Sequence, residues 1–265
     1  MNRSLGRHVF GIAAIAFGVI ALVGRDFNAP WQQIKVFGDI PHGEALVYLA
    51  AAIFLLGGLA IQWPKTARAG AVVLGAIYLF FALMWVPDIF REPKVYDRYG
   101  NFFEQFSLVS GASLVYAMSA RDPKFTRWAR LGYSGFAVCV VSFTLEQLFY
   151  LAGTASFVPK WIPPGQMFWA IATTVFFALA AIALFSGLSA LLAARLLVAM
   201  LVGFGLLVWL PAPFVDPHKM ISWSGNAQNL AITGAAWIVM DYLSQMREEE
   251  FHKAPHPRRD WRLQG

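Results

Sequence analysis

Val158–Ala170 reads VPKWIPPGQMFWA, and within this stretch one hydrophobic segment ends, a proline pair follows and a long apolar run begins. A shorter version of the phrase, Ile40–Glu44 (IPHGE), opens another apolar run 122 positions earlier. At that spacing Pro41 matches Pro163, Gly43 matches Gly165, and Glu44 falls where Gln166 stands. Ala50 then meets Ala172, and Phe54 meets Phe176. Towards the ends of the two copies, Gln105 and Gln228, Gly111 and Gly234, and Ala112 and Ala235 stand 123 apart. Pro87 and Pro211 correspond once a single residue is allowed to slip. A fixed order at a nearly constant interval reads as duplication of one unit of roughly 120 residues.

Composition says where such a chain lives. Hydrophobic residues make up 58% of it and charged residues 14%, and the mean hydropathy is +0.55. A soluble domain carries about a quarter charged residues, so the lipid bilayer is the expected surroundings. The single cysteine, Cys139, excludes disulfides within the chain and Cys-based zinc sites. The net charge of +6 comes from basic residues in short loops between apolar runs. That distribution sets membrane orientation and argues against nucleic acid as a partner. The N-terminal run lacks a small-residue cleavage site and is followed at once by Arg25-Asp26, so it is expected to be a retained span.

Eight apolar runs can be drawn, at about 8–24, 44–62, 69–87, 102–120, 131–151, 166–189, 195–213 and 226–244. Each approaches the ~20 residues that cross ~30 Å of hydrocarbon as a helix. None alternates apolar and polar residues as a barrel strand would. With the N-terminus inside, 14 Lys and Arg lie on the inner side and 7 on the outer, which predicts both termini in the cytoplasm. The expected fold is an all-α membrane protein with eight transmembrane helices in two parallel four-helix repeat units. Residues 1–120 form the first unit, 121–130 a cytoplasmic linker, 131–244 the second unit and 245–265 a cytoplasmic tail.

Polar residues with no topological duty gather at the predicted outer side. They include Glu44, Trp85, Asp88, Arg91, Arg98, Glu104, Glu146, Trp161, Gln166, Gln228 and Asn229. The even-numbered spans start at that side, so their unpaired N–H groups and partial positive charge favour Glu44, Glu104 or an anionic or carbonyl-bearing ligand. Capping and surface ion pairs are the simpler account of such carboxylates. Glu146 differs, because it lies among Leu145, Gln147, Leu148 and Phe149, inside an apolar segment. A carboxylate at that depth faces the bundle interior and marks a site. Trp31, Trp85, Trp161, Trp209 and Trp223 read either as interfacial anchors or as the wall of a pocket for a flat ligand. The five histidines sit at span ends, in loops or in the tail, which argues against a b-type haem. No intrinsic cofactor and no metal site are assigned.

At VPKWIPPGQMFWAIATTVFFALAAIALFSG (158–187), and again at LLVWLPAPFVDP and NLAITGAAWIV, the second copy resembles the DoxX family of small bacterial membrane proteins with about four spans. The resemblance covers roughly 131–244, with a fainter echo in 7–120. IPPGQ before an apolar run is its distinctive part, and two units in one polypeptide depart from the family pattern. The resemblance implies a multi-span scaffold in the bacterial cytoplasmic membrane and, for some relatives, a subunit of a thiosulfate:quinone oxidoreductase. On that basis the first expectation is a redox-associated subunit that binds quinone near the outer leaflet, with another chain as catalytic partner. Glu146 and Glu104 would handle protons, Gln166 and Trp161 would hold the head group, and Arg91 or Arg98 would bind an anionic donor. The alternatives are a non-catalytic binder or transporter of a small lipophilic molecule, and an assembly factor for another membrane complex.

Overall fold

A computed structural model of the chain describes residues 5–27, 31–32, 43–120 and 126–253. Ile40, Pro41 and His42 of the shorter phrase, linker residues 121–125 and the tail beyond Lys253 lie outside the described residues. The helices run in order α1 (Leu5–Gly24), α2 (Gly43–Ala60), α3 (Ala67–Leu83), α4 (Val86–Arg91), α5 (Tyr96–Met118) and α6 (Thr126–Phe149). They continue with α7 (Leu151–Phe157), α8 (Gln166–Ser186), α9 (Ala190–Phe204), α10 (Ala212–Val215) and α11 (Met220–Lys253). A five-residue π turn, Gly205–Trp209, extends α9. No strand occurs among the described residues.

Each predicted apolar run coincides with one long helix, but the eight are not alike. Six are long and apolar enough to cross a membrane: Leu5–Gly24, Gly43–Ala60, Ala67–Arg91, Thr126–Phe149, Gln166–Ser186 and Ala190–Val215. The fourth and eighth, α5 and α11, fall short of that apolarity. Their polar residues turn inward or bond to their own helix. Gln105, Ser107, Ser110, Ser224, Gln228 and Thr233 are all buried, and Ser110 and Thr233 return their hydroxyls to the carbonyls four residues back. These groups are thereby kept from the outer surface of the bundle. The apolar helices instead present residues such as Leu49, Leu56, Leu179 and Ile182 outward, a surface suited to lipid.

Neighbour follows neighbour round the bundle in the order α1, α2, α3, α5, α6, α8, α9, α11 and back to α1, with α5 also packed on α11 across the centre. The closest crossings rest on glycine. A Cβ at Gly234 of α11 would lie 2.6 Å from the Phe10 backbone nitrogen of α1. One at Gly132 of α6 would lie 2.8 Å from the Ser110 carbonyl of α5. Such backbone approach gives contact area where apolar side chains gain little from meeting each other.

Three helices begin with the same device. The fourth residue of α5, α8 and α11 is aromatic and donates to the carbonyl of a proline six residues earlier. The pairs are Tyr99 to Pro93 at 3.3 Å, Trp169 to Pro163 at 3.0 Å and Trp223 to Pro217 at 2.9 Å. The proline ends the preceding segment, and the aromatic side chain satisfies the carbonyl left exposed at the turn. Gln166 adds a bond from Nε2 to the Val158 carbonyl at 2.6 Å, which closes the loop of the decisive phrase.

Candidate functional site

At the end of the bundle where α5, α8 and α11 begin, a cavity of about 460 Å³ lies between α6, α7, α8, α9 and α11. Helical spacing puts its lining together. α6 contributes Phe143, Glu146 and Gln147, α8 contributes Trp169, Thr173 and Phe177, and α11 contributes Gly225, Gln228, Asn229 and Ile232. Within each set the residues are three or four apart, so they share one face. α9 and its π turn close another side with Leu201, Phe204, Leu207, Val208 and Trp209, and α5 reaches in with Asp97 and Glu104.

The π turn is the most irregular wall, and its cause is local. Pro213 has no N–H to give the Trp209 carbonyl four residues earlier. Asn226 supplies the missing donor at 2.6 Å, and Asn229 donates to the Leu201 carbonyl at 3.2 Å. The Leu210 N–H reaches back five residues to Gly205 at 2.7 Å. Asn226 and Asn229 therefore serve the backbone of α9, and the extra residue in the π turn swings Trp209 against Gly225. A Cβ at Gly225 would overlap that indole. π turns of this kind recur at functional sites.

A polar chain leads from the cavity to the centre of the bundle. Gln228 Nε2 donates to Glu104 Oε2 at 3.2 Å, and Gln105 Nε2 donates to Gln228 Oε1 at 3.2 Å. The Trp31 indole also donates to the Glu104 carboxylate. On the far wall, Gln147 Oε1 accepts from Thr173 at 3.2 Å and from Thr174 at 3.1 Å, joining α6 to α8. Glu146 is half-buried, and its carboxylate lies flat against Gly100 of α5, where a Cβ would collide with it. Among the described residues no hydrogen bond reaches the Glu146 carboxylate, although its charge interacts with those of Glu104 and Asp97.

The cavity thus brings together four of the predicted residues, Glu146, Glu104, Gln228 and Asn229. The others lie elsewhere. Gln166 closes the loop beside the cavity, and Trp161 and Glu44 are exposed. Trp85 is buried and donates its indole N–H to the Trp31 carbonyl at 3.4 Å, so it supports the indole that holds Glu104. Arg91 pairs with Asp88 at 3.2 Å on the surface, and Arg98 with Glu92 at 2.8 Å and with Asp97 at 3.2 Å. Glu104 also needs a correction. α5 starts at Tyr96, so Asp97 occupies its first turn and Glu104 lies two turns in. Hydropathy could not mark this start, because the first turns of α5, Tyr96–Asn101, are largely polar.

Sequence reasoning left out Gln147, Tyr150, Thr173 and Asp97 as lining residues. The spacing of Phe143, Glu146 and Gln147 along α6 was the available signal. Among the described residues no group of three or more His, Cys, Asp or Glu is arranged to hold a metal ion. No family model, curated protein or solved structure matches this chain.

Proposed function

We propose that the chain binds a small, largely apolar molecule in the cavity between α6 and α11 and exchanges it with the outer leaflet of a bacterial cytoplasmic membrane. The observation that carries this reading is the cavity itself. Its volume of about 460 Å³ falls in the range of small-molecule sites, and its walls are mostly aromatic and aliphatic with a few convergent polar groups. Under this reading all eight long helices span the bilayer, and α5 and α11 are shielded from lipid by the other six. Both termini face the cytoplasm.

Duplication of a DoxX-like unit supports the same arrangement. Exchanging α1, α2, α3 and α5 for α6, α8, α9 and α11 turns the order of neighbours into itself. Gln105 and Gln228, equivalent in the sequence, bond to each other, as equivalent residues do on a two-fold axis. Tyr99 with Pro93 and Trp223 with Pro217 repeat one device 124 positions apart.

A quinone head group is a second reading, favoured by one observation: Glu146 lines the same cavity as the flat side chains of Trp169 and Tyr150, and no described residue donates a hydrogen bond to its carboxylate. In that case another chain supplies the redox chemistry. Mass spectrometry of small molecules that co-purify with the protein tests both readings. A lipophilic molecule retained by the native chain and lost on Gly203→Leu, which fills the cavity, is the expected result. The cavity reading fails if the same molecules remain bound to both. Reporter fusions after Lys94 and Gly265 check the topology, with outside and inside signals expected respectively.

A further inference from the structure

The ligand's polar end can be assigned a charge, an inference that rests on the ligand-binding reading above. We propose that this end is a free organic cation, a protonated amine or quaternary ammonium, held between Glu146, Glu104 and the aromatic walls of the cavity.

Among the described residues the lining carries three carboxylates, Asp97, Glu104 and Glu146, and no Lys, Arg or His. Asp97 is matched by Arg98 at 3.2 Å. The other two have no such partner among the described residues. Glu104 is held by the neutral donors Gln228 and Trp31, which satisfy its lone pairs and leave its charge uncompensated. Among the described residues Glu146 has neither a donor nor an ion-pair partner, and it lies within a bundle where an unmatched charge is costly.

The remaining walls suit an organic cation better than a metal ion. Trp31 and Trp209 meet edge to face with centroids 6.1 Å apart, and Phe157 lies 6.1 Å from Trp209 on the other side. Ring faces attract a diffuse cation, whereas they offer a hard divalent ion none of the six or more oxygens it needs. The size of the cavity also leaves room for an apolar body behind the charged end. A zwitterionic lipid head group fits less well, because none of the described lining residues is basic and able to meet its phosphate.

The test uses the purified full chain in lipid nanodiscs and isothermal titration, with heats from empty discs subtracted. The probes are (6-phenylhexyl)trimethylammonium and its neutral isostere, in which carbon replaces nitrogen. The expected result is about tenfold tighter binding of the cation, with the preference falling severalfold in both Glu146→Gln and Glu104→Gln. Equal affinity for the two probes overturns the proposal while the cavity reading stands, and returns the site to neutral head groups. Binding of neither overturns both. The titration is repeated in discs of a neutral glycolipid and of phosphatidylcholine. Equal affinity in the two supports a free cation, whereas weaker binding in phosphatidylcholine makes the lipid head group the occupant and overturns the free-ligand assignment.

Discussion

The two halves of the bundle share one plan of helix neighbours but fill it differently. Between α1, α2 and α3 the interior is closed by rings. Phe54 sits 5.6 Å from Phe17, 5.4 Å from Tyr78 and 6.0 Å from Phe81, with Phe10 and Phe27 completing the set. All six are buried. Between α6, α8, α9 and α11 the rings stand apart. Phe177 lies 5.8 Å from Phe143 and 6.3 Å from Phe204, and beyond them is open space with three carboxylates along its lining. A frame can therefore be kept while one interior is packed for stability and the other is left open. In lipid this difference matters, because dispersion contact rather than escape from water holds helices together.

The comparison can be broken first where the halves join. Gly234→Leu forces a side chain into the Phe10 backbone, and the expected outcome is loss of the protein from the membrane fraction, a cost above about 4 kcal/mol. Accumulation at the native level would mean that α1 and α11 do not cross there. The contrast in packing predicts the next two effects. Phe54→Ala in the closed half should cost about 3 kcal/mol in detergent unfolding, and Phe204→Ala at the cavity edge about 1 kcal/mol. Equal losses would erase the distinction between the interiors.

Gly203 lines the cavity, and a Cβ there meets nothing within 4 Å. Gly203→Leu should leave thermal stability unchanged or raise it by up to about 0.5 kcal/mol, since glycine is a poor helix former. It should also remove probe binding. Gly57→Leu, in the closed half, meets Leu74 at 2.7 Å and should be destabilising instead. The smallest effect belongs to Arg91→Ala. Its side chain is 62% exposed and its pairing with Asp88 is a surface one, so stability should change by less than about 0.5 kcal/mol and ligand affinity not at all. A large drop in affinity would reinstate the predicted role of Arg91.

The long helices were legible in the sequence because lipid demands long apolar runs, and Gly234 and Gly111 stood out through the repeat spacing. The membrane setting followed from composition alone. Less could be read at the cavity. Glu146 was visible as a charge within an apolar run, whereas Arg91, Arg98 and Trp161 were picked out among the polar and aromatic residues near helix ends and lie outside the cavity lining. Arg91 and Arg98 pair with nearby acidic residues and Trp161 is exposed, and position along the chain does not disclose such partners. The π turn was hidden for a related reason. Pro211 and Pro213 announce a break, but its form depends on Asn226 and Asn229, which come from another helix.

The polarity of α5 and α11 has a consequence for how the molecule is made. A helix bearing Asn101, Glu104, Gln105, Ser107 and Ser110 along its length enters a bilayer poorly by itself. Each of the two is the last long helix of its half, so at synthesis it emerges after three apolar neighbours that can receive it. The most extensive pairing in the described bundle is that of α1 with α11. α1 is thus made long before its main partner, α11, follows it in the chain. Until α11 has packed in place, α1 and the glycine faces that α11 covers remain open to any protein that guards unfinished chains. Truncation before Met220 therefore leaves the first half without its closing partner, although every residue of that half is present.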